Sequence, residues 1–346
     1  MKYSYKNDYS EMAHPKVFEA LSNIGTRQFE GYGLDEYSIE AANLIKCKIG
    51  VPCADVHFIS GGTHANLVVI SSFLRPHEAV IAVKSGHIAV HEAGAIEATG
   101  HKICTRDGMD GKLSVDDIQS VLHEHGGDEH MVKPRLVYLS LSTECGTVYT
   151  KAELSTIFDF CQKNNLYLYV DGARLGAAVN SVDCDLTYYD IARYTDVFFI
   201  GGTKNGALFG EAIVICNERL QEDFRFLLKQ RGGLLAKTAA ISVQFKALFE
   251  DGLYDELASH SNTMAKKLAD GIIKAGYSFL YPVQTNLIIP LFPAGVVNKM
   301  REMYGFYDWQ ELGDDIAVRL LTSWATQESQ IKDFVNDLEL VKPPSP

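Results

Sequence analysis

Between about residues 56 and 216 the chain repeats one pattern: a short apolar run, then a stretch with helical periodicity. The runs fall at 56–59, 79–83, 101–105, 136–141, 166–170, 197–200 and 212–216. Helical patterns lie between them at 63–73, 86–98, 114–124, 151–164 and 185–194. Few folds accept that alternation. It predicts an α/β fold with a mostly parallel seven-stranded sheet and helices on both faces. After about residue 217 the texture changes to long helical patterns at 218–231, 236–249 and 255–275. Two apolar segments (286–291 and 316–322) and a last helix (327–340) follow. That order predicts a smaller α+β C-terminal domain. A chain of 346 residues is long enough for two lobes. The expected division is an N-terminal segment at 1–35, a large domain at 36–235 and a small domain at 236–346. The prolines at 343, 344 and 346 predict a tail that cannot extend the last helix.

Two of the strand ends carry chemistry. The run Leu166-Tyr167-Leu168-Tyr169-Val170 ends in Asp171-Gly172-Ala173-Arg174, and Val197-Phe198-Phe199-Ile200 leads into Gly201-Gly202-Thr203-Lys204. Open α/β sheets place ligands at the carboxyl ends of their strands, so Asp171 and Lys204 are expected to face one crevice. A lysine that can form a Schiff base, beside a carboxylate that can pair with a ring nitrogen, is what pyridoxal 5'-phosphate chemistry requires. Each residue also has an ordinary reading: Asp171 as a helix N-cap, Arg174 as a surface residue and Lys204 as a solvated lysine.

Three further patterns bear on the same crevice. Ser60-Gly61-Gly62-Thr63-His64-Ala65-Asn66 follows a strand and opens a helix. Glycines there let backbone N–H groups approach an anion, and Thr63 adds a hydroxyl. The motif is neither a Walker A loop nor a G-x-G-x-x-G fingerprint, and alone it also fits a tight turn. His87 opens another helix and could stack on a planar ring. His87 and His91 stand four apart, but no third ligand has matching spacing, so no metal is expected. Arg319 sits among apolar neighbours in Ile316-Ala317-Val318-Arg319-Leu320-Leu321. A charge in such a strand needs a partner, either an internal carboxylate or a substrate carboxylate held by the planar guanidinium.

Composition narrows the partners. Net charge is −12, with no cluster of basic residues, which argues against nucleic acid and anionic membrane. No apolar run approaches the roughly 18 residues of a membrane span, and the first residues do not read as a signal peptide. The seven cysteines are scattered, with no C-x-x-C pair, as expected of free thiols in a reducing cytoplasm.

Taken together, Ser60–Asn66, Gly86-His87-Ile88 with Glu92-Ala93-Gly94-Ala95, Val170-Asp171-Gly172-Ala173-Arg174-Leu175 and Thr203-Lys204 resemble the threonine aldolase and β-eliminating lyase family of fold type I pyridoxal phosphate enzymes. The resemblance spans nearly the whole chain. It implies that Lys204 carries the cofactor, Asp171 binds its ring nitrogen and His87 stacks on the ring. Gly61, Gly62 and Thr63 would hold the phosphate. Arg174 would lie near the cofactor O3′ and the substrate carboxylate, and Arg319 would bind that carboxylate. Ser10 would contact substrate, and Tyr32 would reach the site of a neighbouring subunit in a homodimer or homotetramer. The chain departs from the family in three places. Thr203-Lys204-Asn205-Gly206 replaces Ser-Lys-Gly. Gly232-Gly233-Leu234-Leu235-Ala236-Lys237 replaces Gly-Gly-Gly-Met-Arg. Glu144, in Ser142-Thr143-Glu144-Cys145-Gly146, stands where many members carry a histidine.

The implied activity is cleavage of a β-hydroxy-α-amino acid, threonine-like or phenylserine-like, to glycine and an aldehyde. The base for the hydroxyl would be a histidine, a water or Glu144. Two rivals are β-elimination to a 2-keto acid and ammonia, and a binding protein that keeps the fold without the chemistry.

Overall fold

The computed structural model describes residues 1–342; the proline-rich 343–346 stretch lies outside the described residues. A seven-stranded sheet forms the centre. Its spatial order is Asp55–Ile59, Glu211–Ile215, Val197–Gly201, Tyr167–Asp171, Lys133–Ser140, Glu78–Val83 and Ile103–Arg106. The last five run parallel to one another. Glu211–Ile215 is antiparallel to both of its neighbours. All seven apolar runs are strands of this sheet.

The runs are continuously apolar because both faces are covered. In Val197–Gly201, Phe198 and Ile200 enter one core while Val197 and Phe199 enter the other. Leu168 and Val170 separate from Tyr169 in the same way, as do Val137 and Leu139 from Leu136 and Tyr138. A strand has a side-chain period of two, so a doubly covered strand needs apolar residues at every position. Helices Glu36–Ile49 and Ala239–Phe249 pack on the first core, and Gly62–Phe73 and Phe224–Gln230 on the second.

A second, antiparallel sheet lies in the C-terminal part. It is built on Asp315–Leu321, which pairs with Leu287–Ile288, Pro290–Pro293 and Tyr307–Leu312. Helices Leu253–Lys274, Ala294–Met303 and Glu328–Val341 cover it around a third core. The N-terminus joins this unit. Tyr3–Ser4 pairs in parallel with Tyr304–Gly305, and Tyr5 is wholly buried there.

Two helical readings change in the structure. The expected 86–98 helix is a single turn, His87–Val90, followed by a 3-10 turn at Glu97–Thr99. The turn closes at His91, Glu92 is buried, and Ala93 and Gly94 then adopt positive φ, which no continuing helix allows. The expected 218–231 helix divides into Glu218–Leu220 and Phe224–Gln230, with Asp223 at positive φ between them.

The turn after Tyr167–Asp171 tolerates no side chain at Gly172. A Cβ there would run into the Phe199 carbonyl of the neighbouring strand and press on Leu175. Gly172→Ala is therefore expected to destabilise the chain by about 1–3 kcal/mol or more, as overpacking against backbone does. A fall in urea midpoint at unchanged slope would register it; an unchanged midpoint would contradict this packing.

Candidate active site

The sheet brings Asp171 and Lys204 to the carboxyl ends of two adjacent central strands. Asp171 is the last residue of its strand and is buried. Lys204 follows the adjacent strand by three residues, in a turn. One Asp171 oxygen accepts from the Tyr138 hydroxyl at 2.6 Å and from Asn66 Nδ2 at 3.0 Å. The other accepts from the Ala173 N–H at 3.0 Å. Three donors from three elements fix this carboxylate. Burial, and the Asp171 charge after it, push the Tyr138 hydroxyl far above its ordinary pKa, so it serves as a donor.

Asn66 extends the network. Its side-chain oxygen accepts from Tyr169 at 2.7 Å, and its nitrogen also donates to Glu92 Oε1 at 2.7 Å. The same Glu92 oxygen lies 2.6 Å from His87 Nδ1. A continuous path thus joins His87 to Asp171 through Glu92 and Asn66. Burial opposes charge on the His87 ring, but the Glu92 hydrogen bond and the Glu144 and Asp171 carboxylates carry its pKa above the usual histidine value.

Arg174 and Arg319 approach Glu144 from two elements, at 4.0 and 3.9 Å. Burial alone would raise the Glu144 pKa, but Arg174, Lys204, His87 and Arg319 together hold it below the usual value. The two arginines differ in their commitments. Arg174 donates through Nε and Nη2 to both oxygens of Asp8, at 2.7 and 3.1 Å. Asp8 also accepts from Asn286 Nδ2 at 3.0 Å. The Nε of Arg319 is buried with no partner. Burial lowers the Lys204 pKa first and Arg174 adds to this, while Asp8, Glu144 and Asp171 oppose it; the net shift is downward.

The glycine motif opens helix Gly62–Phe73, whose first turn has no side-chain cap. A Cβ on Gly61 would meet nothing within 4 Å. Ser60 Oγ lies 3.0 Å from His64 Nδ1, and His64 Nε2 lies 3.0 Å from the Arg231 carbonyl. Two expected residues stand apart from this cluster. Ser10 is exposed and donates to Asn7 at 2.8 Å. Tyr32 is 42% exposed, lies under Lys229 and accepts at its carbonyl from Arg225. Among the described residues, no group of three His, Cys, Asp or Glu side chains is arranged to hold a metal.

Sequence reasoning gave no role to Asp8, Asn66, Glu92, Tyr138 or Glu211. Asn66 carried a signal, as an amide inside the apolar stretch Ala65–Ile70 of its helix. Asp8 carried none, because its role depends on a contact 166 residues away.

Known proteins share this fold and sequence pattern. The beta-eliminating lyase family matches residues 23–292. The chain belongs to that family. It is 30% identical over 331 residues to the low specificity L-threonine aldolase of a Pseudomonas species, covering 94% of each chain. The solved structure of Leishmania major threonine aldolase superposes with a TM-score of 0.96 at 47% identity, covering 98% of this chain and 100% of that one. An aspartate aminotransferase of Thermus thermophilus shares the fold, with a TM-score of 0.74 at 13% identity over 99% of this chain and 92% of its own. The fold type I architecture expected from the sequence is therefore the one this family member adopts.

Two outcomes follow from the site's electrostatics. Asp8→Ala would leave Arg174 buried without its bidentate partner and should cost about 3–5 kcal/mol of stability, read by denaturant unfolding. Glu92→Gln should lower the His87 pKa, read from its ring-proton NMR shifts. Because the folded-state value is raised, the stability lost in this variant should be largest below about pH 6.5. The difference should shrink as pH rises through the His87 value of the native chain. An unmoved His87 titration would contradict the assignment.

Proposed function

We propose that this chain is a pyridoxal phosphate-dependent lyase that cleaves the Cα–Cβ bond of β-hydroxy-α-amino acids, releasing glycine and an aldehyde. One observation carries the reading: the fixed side chains of Asp171 and His87 and the buried Lys204 cluster around Glu144 with an arginine, Arg319, whose Nε is buried and unpartnered. The chain's relatives among the threonine aldolases support the substrate class.

The residues present fit the cofactor. Uncapped N–H groups at Gly62, with space beside Gly61, suit a phosphate. Lys204 would hold the aldehyde carbon, Asp171 the ring nitrogen and His87 one ring face. Gly61, Gly62 and Thr63 would hold the phosphate, with the free edge of Arg174 toward the ring oxygen. When bound, the group supplies a sink for the electron pair left at Cα.

The chain's own residues direct which bond breaks. Arg319 pairs with the substrate carboxylate, and that contact orients the Cα substituents so that Cα–Cβ lies along the reactive direction. Asp171, as an anion, favours a protonated ring nitrogen. Glu144, kept ionised by its cations, accepts the β-hydroxyl proton as the C–O bond becomes the aldehyde carbonyl. A substrate carboxylate arriving on Arg319 offsets one of those cations and so makes Glu144 more basic. A proton returned to Cα completes glycine.

We read the functional unit as a homodimer or homotetramer in a reducing cytoplasm. Tyr32, Leu34 and Phe226 support a subunit contact, being large exposed apolar side chains. The seven unpaired cysteines support the compartment.

Incubation with pyridoxal phosphate and L-threonine or L-phenylserine is the test. Glycine with acetaldehyde or benzaldehyde is expected; a keto acid with ammonia would contradict the reading. Arg319→Leu should raise KM by about tenfold to a hundredfold, the loss of a charged hydrogen bond, whereas Glu144→Gln should act mainly on kcat.

A further inference from the structure

We propose that Glu211 is a positioning residue: its buried carboxylate holds the turn that carries Lys204 and sets the protonation of that lysine's nitrogen. The inference rests on the reading of Lys204 as the cofactor lysine, and deepens it.

Glu211 stands where two loops leave the sheet. It opens the strand Glu211–Ile215, opposite Ile59 on one side and Gly201 on the other. Ile59 is the last strand residue before Ser60-Gly61-Gly62-Thr63, and Gly201 the last before Gly202-Thr203-Lys204. One Glu211 oxygen accepts from the Gly202 N–H at 2.8 Å, and the other from the Thr203 hydroxyl at 2.8 Å. The Thr203 oxygen accepts in turn from the Gly210 N–H at 3.0 Å. The two residues before Lys204 are therefore both held by one side chain. The opposite side of the turn is equally constrained. A Cβ on Gly202 would press on the Gly210 carbonyl and the Phe245 ring, and Asn205 donates to the Tyr254 carbonyl at 2.7 Å.

Holding a turn does not require a charge. A neutral amide or hydroxyl would satisfy at least one of these donors, and burying a carboxylate is costly. No lysine or arginine lies within ion-pair distance of Glu211 among the described residues. The groups that face it are Lys204 on the turn, Asp171 at the end of the strand beyond, the Tyr169 hydroxyl and the Tyr254 hydroxyl from helix Leu253–Lys274. Burial is the largest influence and raises the Glu211 pKa, with Asp171 adding to it. Thr203, Gly202 and Lys204 pull the other way, leaving it at about 7. Gain and loss of that charge, on a carboxylate bonded to the two residues before Lys204, would shift the lysine's proton affinity.

The test uses the full chain loaded with pyridoxal phosphate. The visible absorbance of the bound cofactor is followed against pH, and cofactor affinity is measured by titration of the cofactor-free protein. The native chain should show an absorbance step near neutrality. Glu211→Gln should abolish that step and weaken cofactor binding about tenfold, the order expected for losing a charged hydrogen bond. Thr203→Ala should weaken binding but keep the step, and Thr203→Ser should restore native behaviour. A Glu211→Gln protein with native affinity and an unchanged step would overturn the proposal while leaving the Lys204 reading intact. A native chain that binds no cofactor would overturn both. Should Glu211→Gln fail to fold, Thr203→Ala with native affinity overturns the proposal, and weakened binding rescued by Thr203→Ser supports it.

Discussion

The fixed carboxylate of Asp171 is the constraint on which the site depends. A buried anion at a strand end is stable only when its lone pairs are met. Here Tyr138, Asn66 and the Ala173 N–H meet them from a neighbouring strand, a helix and the following turn. Each donor is itself placed by the sheet. Tyr138 lies in register beside Tyr169, and Asn66 is held by the Tyr169 hydroxyl. Asn66 then carries the constraint on to Glu92 and His87. The break in the helix after His87–Val90 follows from this, because a continuous helix would not turn Glu92 inward.

Around that anion the chain buries opposite charges at close range. Asp8, Glu144 and Asp171 face Arg174, Arg319 and Lys204. Charge pairs inside a protein interact more strongly than in water, so the partition of partners matters. Arg174 is committed through two donors to Asp8, and Arg319 keeps its Nε unpartnered. The N-terminal segment is therefore part of the site. Its pairing with Tyr304–Gly305 and the burial of Tyr5 place Asp8 on Arg174, tying the two sheets together at the crevice.

The strands of the central sheet were legible because double burial writes itself as continuous apolar runs. The placement of Asp171 and Lys204 was legible for the same reason: Asp171 ends such a run and Lys204 follows one by a short turn. The Tyr307–Leu312 strand was not, since nearly every residue of it is exposed and its alternation, Tyr307-Asp308-Trp309-Gln310, stops after four residues. Helix Ala294–Met303 was missed because Pro293 and Gly295 read as turn residues beside its start. Apart from the amide of Asn66 inside an apolar stretch, the network behind Asp171 was illegible for another reason. Asn66, Glu92, Tyr138 and Asp8 act through contacts that only the folded sheet creates. In sequence, Glu92 belongs to a motif of the resemblance but nothing there names its partners, and Glu211 is a charge before an apolar run.

The central claim is that Lys204 is the residue that joins the cofactor. The most direct measurement is borohydride reduction of the protein loaded with pyridoxal phosphate, followed by peptide mapping by mass spectrometry. The account predicts one pyridoxyl-modified lysine, Lys204, and no modification at that position in Lys204→Ala. Stable modification at a different lysine, or none at all with cofactor bound, would contradict it.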